Sequence, residues 1–164
     1  MYIFNYVSDD DHIMECKYFA TPNGILRIIE AILLIIGFGL MLDTIVDCVD
    51  AANAEACRDE FWAYYVYMAI AITVASLIAV TLIGHLIKPE WINPIIEIGI
   101  CVVFAILVLI GSDCLAYKIK EIIDLFKPYH VEQKEQIAAC VFGFGSVVLL
   151  LVECILLGIK ALSA

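Results

Sequence analysis

Residues 61–87 read FWAYYVYMAIAITVASLIAVTLIGHLI. A helix of this length, rising about 1.5 Å per residue, crosses a hydrocarbon layer roughly 30 Å thick. Its opening aromatic cluster, Phe61, Trp62, Tyr64, Tyr65 and Tyr67, is of the kind that favours the membrane–water boundary. Within a bilayer no water pairs with backbone N–H and C=O groups, so a spanning segment is either a helix or part of a closed barrel. The stretch is therefore read as a membrane-spanning helix.

Working outward, three more stretches of the same kind appear, Gly24–Val46, Ile92–Tyr117 and Ile137–Leu162. Only a few residues around Lys88, Pro89 and Glu90 separate the second span from the third, and so short a connection makes them antiparallel neighbours. The expected fold class is an all-α membrane protein, an antiparallel four-helix transmembrane bundle. It has a cytosolic amino-terminal segment over 1–23 and one four-span domain over 24–164. Composition agrees: hydrophobic residues make up 64% and charged residues 17%, below the usual quarter of a soluble domain. A soluble bundle would need four helices that are apolar on every face with nothing polar to meet water. The net charge of −10 excludes nucleic acid as a partner, because that needs a basic surface. It also argues against a polybasic anchor on an anionic leaflet.

Before the first span, Thr21, Pro22, Asn23 and Gly24 punctuate a helix start, with Thr21 as N-cap and Pro22 in the first helical position. The segment Met1–Pro22 carries Asp9, Asp10, Asp11 and Glu15 where a cleavable signal wants basic residues, so the first span is expected to be retained as a signal-anchor. After Asp113 the third span runs on into an amphipathic extension, Leu115–Tyr129. Ile119, Ile122, Ile123 and Phe126 recur there at helical spacing, with Lys118, Lys120, Glu121, Asp124 and Lys127 on the other face. That pattern predicts a segment lying on the membrane or on the loop beside it, stopped by Pro128.

An even number of spans places both termini on one side. Basic residues do not choose the side: Lys17, Arg27, Lys88 and Lys160 fall with the termini, and Arg58, Lys118, Lys120, Lys127 and Lys134 fall opposite. Cys48 and Cys57 bracket the first loop. The pair is either two reduced thiols or, the favoured reading, a disulfide, which would need an oxidising compartment and so put that loop outside and both termini in the cytosol. Closing so short a loop contributes about 2–3 kcal/mol. The same loop carries Asp47, Asp50, Glu55, Asp59 and Glu60, an acidic surface for partners or simply a solvated turn.

Ionisable residues inside spans are the candidate functional residues, because lipid makes them costly. Arg27 and Glu30 are three apart and share a helix face. Glu97 is expected at a similar depth in span three, and Glu153 lies about two turns before Lys160. Two readings compete: a proton or ion path through Glu30, Glu97 and Glu153, or a polar clasp in which Arg27 satisfies carboxylates and fixes helix register. Arg suits a clasp because its planar fork binds carboxylates in bidentate fashion. The clasp is favoured, because a path needs acidic groups across the whole thickness and the middle of every span is apolar.

Small residues mark helix-packing faces: Ala71, Ala75 and Ala79 in span two, Ala139 and Gly143 in span four, with Gly37 and Gly39 thinning span one. Such faces serve contacts within the bundle or bind a partner's span. Asp9–His12 with Cys16 is a weak metal pattern, Cys16 is a candidate for palmitoylation, and Cys101, Cys140 and Cys154 read as small packing residues. No nucleophile–base pair, phosphate loop or zinc spacing stands out, so neither catalysis, a metal nor a cofactor is expected.

The run from Phe19 to Ala31, FATPNGILRIIEA, resembles the opening of MARVEL-domain proteins. Members often begin their first span with an aromatic residue, a Gly, then an apolar–basic–apolar–apolar–acidic run, matched here by Gly24, Leu26, Arg27 and Glu30. The four-span layout and short middle turn are similar too. The resemblance implies cytosolic termini and a role at membrane apposition: vesicle trafficking, fusion, junctions or escort of membrane proteins. The small size is closer to the myelin-and-lymphocyte, chemokine-like-factor and singles-bar types than to occludin. Claudins fit worse, lacking a match for their longer first loop and its Trp–Gly–Leu–Trp signature, and tetraspanins need a large Cys-Cys-Gly loop. The expected role is a non-enzymatic organiser at the plasma membrane or on secretory-pathway vesicles, its partners membrane lipids and other membrane proteins or further copies of itself. The alternatives are a channel or transporter subunit using intramembrane carboxylates, and a junction strand-former.

Overall fold

Two of the four helices begin with the same device, a capping side chain followed by proline. In the computed structural model, which describes residues 18–51, 62–87, 92–125 and 134–163, a short 3₁₀ turn at Tyr18–Ala20 leads into α1, Pro22–Ala51. The Thr21 hydroxyl accepts a hydrogen bond from the Gly24 N–H at 3.2 Å, satisfying a donor that the first helical turn leaves open. α2 spans Trp62–Ile87 and α3 spans Pro94–Leu125. At the start of α3 the Asn93 side chain accepts from the Ile95 N–H at 2.9 Å. α4 spans Lys134–Leu162. In both capped starts proline occupies the first position, where its missing N–H is no loss.

Each of the four helices is long and apolar enough to cross a membrane. They close a ring in chain order: α1 packs on α2, α2 on α3, α3 on α4 and α4 back on α1. The interior is lined by Leu34 and Met41 of α1, Tyr67, Val74 and Ile78 of α2, Val108 and Leu115 of α3, and Leu150 of α4, all essentially inaccessible. Outward faces are equally apolar, with Ile35, Val80, Val103 and Val148 each more than half exposed. A helix apolar on all sides is stable only where its outer face meets lipid or protein, and this is the surface distribution of a multi-pass membrane protein.

Three features differ from the sequence-based expectation. First, the extension after Asp113 does not lie apart from the span. It continues α3 without a break to Leu125, with Leu115 and Ile119 buried in the bundle. Lys118, expected on the polar face, is also buried, and its Nζ reaches Glu121 at 3.0 Å. Positions 115, 118, 119 and 122 form the packed stripe at helical spacing, so the charged group there is held by its long stem while its tip finds a neighbouring carboxylate. Second, the aromatic opening of α2 divides. Trp62 and Tyr65 face outward at 48% exposure, whereas Tyr64 and Tyr67 are buried. Third, of the small-residue face in α2, Ala71 and Ala75 are buried but Ala79 is exposed. Each step of four residues overshoots a full turn by about 40°, so by the third member the stripe has rotated out and Ile78 takes its place inside.

The Cys48–Cys57 bridge, the acidic first-loop surface, the Asp9–His12 and Cys16 patterns and the Phe126–Tyr129 end of the extension lie outside the described residues or side chains.

Candidate functional site: a buried charge cluster

The bundle brings one ionisable side chain from each helix to a single end. Arg27 lies early in α1, His85 in the last turn of α2, Glu97 in the first turn of α3, and Glu153 about two turns before the end of α4. The Arg27 Nε donates to Glu153 Oε1 at 2.5 Å, and its Nη2 lies 2.8 Å from Glu97 Oε1. The guanidinium fork thus bridges α1 to both α3 and α4. The same Glu97 oxygen lies 3.0 Å from His85 Nε2, which draws in α2. Cys101, one turn beyond Glu97, completes the shell: its Sγ lies 3.7 Å from Arg27 Nη2 and donates to Glu153 Oε2 at 3.4 Å.

All five side chains are buried. A charge moved from water into such a medium is tolerated only when paired and hydrogen-bonded. Here each carboxylate oxygen of Glu153 has a partner, and Glu97 shares one oxygen between the Arg27 guanidinium and the His85 imidazole. Arg is the residue type able to do this, since its planar fork offers several donors in fixed directions and stays charged.

Glu30 belongs to the cluster by position. It is fully buried and within Coulomb range of both Arg27 and Glu153. Yet neither of its oxygens has a hydrogen-bond partner among the described residues. The local i,i+3 spacing suggests an Arg27–Glu30 pair, but the Arg27 fork goes to the two carboxylates on other helices. The helical offset puts Glu30 on the correct face, and the guanidinium reaches across the bundle instead.

The second packing feature lies farther along the helices. The Tyr67 hydroxyl donates to the Ala139 carbonyl at 2.9 Å. A Cβ at Gly37 would collide with that hydroxyl, and one at Gly143 would collide with Ser112 Oγ and press on the Tyr67 ring. Ala139 and Gly143 are therefore buried seats for α2 and α3 side chains. Gly39 meets nothing within 4 Å.

Sequence reasoning missed His85, Cys101 and Tyr67. His85 carried a usable signal, because a short α2–α3 connection necessarily sets the end of α2 beside the start of α3. Cys101 sits four residues after Glu97 on the same helical face, and an apolar reading of cysteine hid it. Tyr67 was obscured by its aromatic neighbours.

A helical bundle with four membrane-crossing helices, apolar outside and charge-locked inside, defines a multi-pass integral membrane protein. The chain matches the MARVEL family model, described as a membrane-associating domain, over residues 18–156 and belongs to that family. No curated protein and no solved structure matches it.

Proposed function

We propose that this chain is a non-enzymatic organiser of membrane, acting in vesicle trafficking, membrane apposition and fusion, or cell junctions by lateral packing with lipids and partner spans. In this reading it resides in the plasma membrane or secretory-pathway vesicles with both termini in the cytosol. The Arg27, Glu30, Glu97 and Glu153 group acts as a register-fixing clasp. One observation carries the proposal: every helix turns apolar side chains outward while Arg27, Glu97 and Glu153 are turned in and paired, so the surface on offer is a lateral one. Membership of a membrane-associating family supports it.

The test is a photo-crosslinking residue placed at Val80 of α2 or Val103 of α3, both exposed on the outer face of the bundle, in cells that naturally express the protein. The reading expects a small, reproducible set of membrane proteins cross-linked from one or both positions. Adducts with bulk lipid alone at both positions would remove the partner-span part. Ordered polymers seen by freeze-fracture would favour a junction strand-former.

A second reading, a channel or transporter subunit, is favoured by one feature: a cavity at the clasp end reaches Glu97. Against it, the interior beyond Glu153 is closed by Leu34, Met41, Val74, Val108 and Leu150. Glu97→Gln with Glu153→Gln in a reconstituted flux assay separates the two. The transporter reading expects flux that the double variant abolishes, and the organiser reading expects none in either protein.

A further inference from the structure

The cavity at the clasp end has a volume of about 770 Å³, within the range of sites that hold small molecules or lipid headgroups. It lies where the starts of α1 and α3 meet the ends of α2 and α4, and its lining combines His85, Asn93, Glu97 and Lys160 with the aliphatic Ile92 and Leu156. We propose that this cavity binds a phosphate-bearing anion, most naturally the headgroup of an anionic phospholipid whose acyl chain runs along the aliphatic lining.

Two helix starts and Lys160 supply the positive side of this cavity. α1 and α3 present their N-termini, the positive ends of their dipoles. α2 and α4 present C-termini, and each carries a basic residue in its last turn, His85 and Lys160 respectively. Glu97 is the one acidic side chain among the described residues of the lining, and its carboxylate already engages Arg27 and His85, so it does not offer an open cation site. Lys160 is exposed and forms no ion pair with any described residue. The Asn93 oxygen is used by the Ile95 N–H, which leaves its amide NH₂ to donate. A cation, a hydrogen-bond donor and two helix N-termini around one cavity are what phosphate oxygens need. The aliphatic part of the lining would be idle with a free anion and is matched by a lipid.

This site deepens the lipid side of the proposed role and rests on it. The cross-linking at Val80 and Val103 is read independently, so loss of one leaves the other standing. The experiment uses the full chain, purified in mild detergent and incubated with phosphatidylcholine, with phosphatidylserine, or with phosphatidylserine plus inorganic phosphate. Retained molecules are counted by native mass spectrometry. The expected result is selective retention of phosphatidylserine, lowered about tenfold in Lys160→Gln, the effect of losing one charge-assisted hydrogen bond. Thermal unfolding of that variant should be unchanged, because Lys160 is exposed. Leu156→Trp, which fills the aliphatic side, should expel lipid but keep inorganic phosphate. Displacement of phosphatidylserine by inorganic phosphate, with Leu156→Trp behaving as wild type toward that ion, supports the same anion site with a free phosphate as its source. Equal retention of both lipids, or no response to Lys160→Gln, would overturn the proposal.

Discussion

The hydroxyl of Tyr67 reaches the carbonyl of Ala139 at 2.9 Å through space that only a glycine at position 37 leaves open. A polar group thus crosses from α2 to α4 in the middle of an apolar bundle and is satisfied there by backbone. Close approach of helices in lipid depends on small residues of this kind, since apolar burial gives no preference for protein over acyl chains.

Substituting Gly37→Ala forces the Tyr67 ring or the helix to move and should destabilise the bundle by about 1–3 kcal/mol. Gly39→Ala, two residues away, meets open space and should be neutral within about 0.5 kcal/mol. Tyr67→Phe removes the hydroxyl that a Cβ at position 37 strikes, so the alanine should be better tolerated in that background. Unfolding in detergent micelles, measured on the single and double variants, gives the coupling directly.

Arg27→Ala leaves Glu97 and Glu153 buried without their shared guanidinium, and a loss of about 3–5 kcal/mol is expected. Arg27→Lys should recover only part, because a point-like ammonium cannot serve two carboxylates on different helices in the same geometry. Adding Glu153→Gln to Arg27→Ala should restore stability relative to the single variant. If the double variant is instead less stable than Arg27→Ala, the destabilisation does not come from uncompensated charge. The same micelle unfolding assay decides.

Much of this fold is legible in the sequence, since span length and all-round apolarity suffice for four membrane-crossing helices, and Thr21–Pro22 marks the first helix start. The composition of the cluster is legible too, because lipid makes each of Arg27, Glu30, Glu97 and Glu153 conspicuous. What spacing does not supply is direction across the bundle. Arg27 has a carboxylate three residues away, yet its fork goes to α3 and α4, a choice set by helix rotation. Lys118 and Ala79 exchange their expected inside and outside positions for the same reason. In a helix apolar all round, no polar face reports which side is buried.

That rotation gives a third expectation. Ala71→Leu and Ala75→Leu place four-carbon side chains in a closed interior and should each destabilise by about 1–3 kcal/mol. Ala79→Leu, on the outer face, should leave folding unchanged. Size-exclusion profiles and thermal midpoints of the three variants provide the measurement, with equal effects at 75 and 79 contradicting the observed rotation of α2.

A fourth concerns sidedness. Four crossings require reporters fused to the two termini to mark the same face of the membrane, and protease or glycosylation tags at each end test this. Tags on opposite faces would remove one span from the fold.

At 32 residues and about 1.5 Å each, α3 measures about 48 Å, well beyond the roughly 30 Å of hydrocarbon. Leu115 and Ile119 stay packed along the far part of that length. The far end of α3 therefore belongs to an unbroken helix braced by the bundle and longer than a hydrocarbon layer is thick.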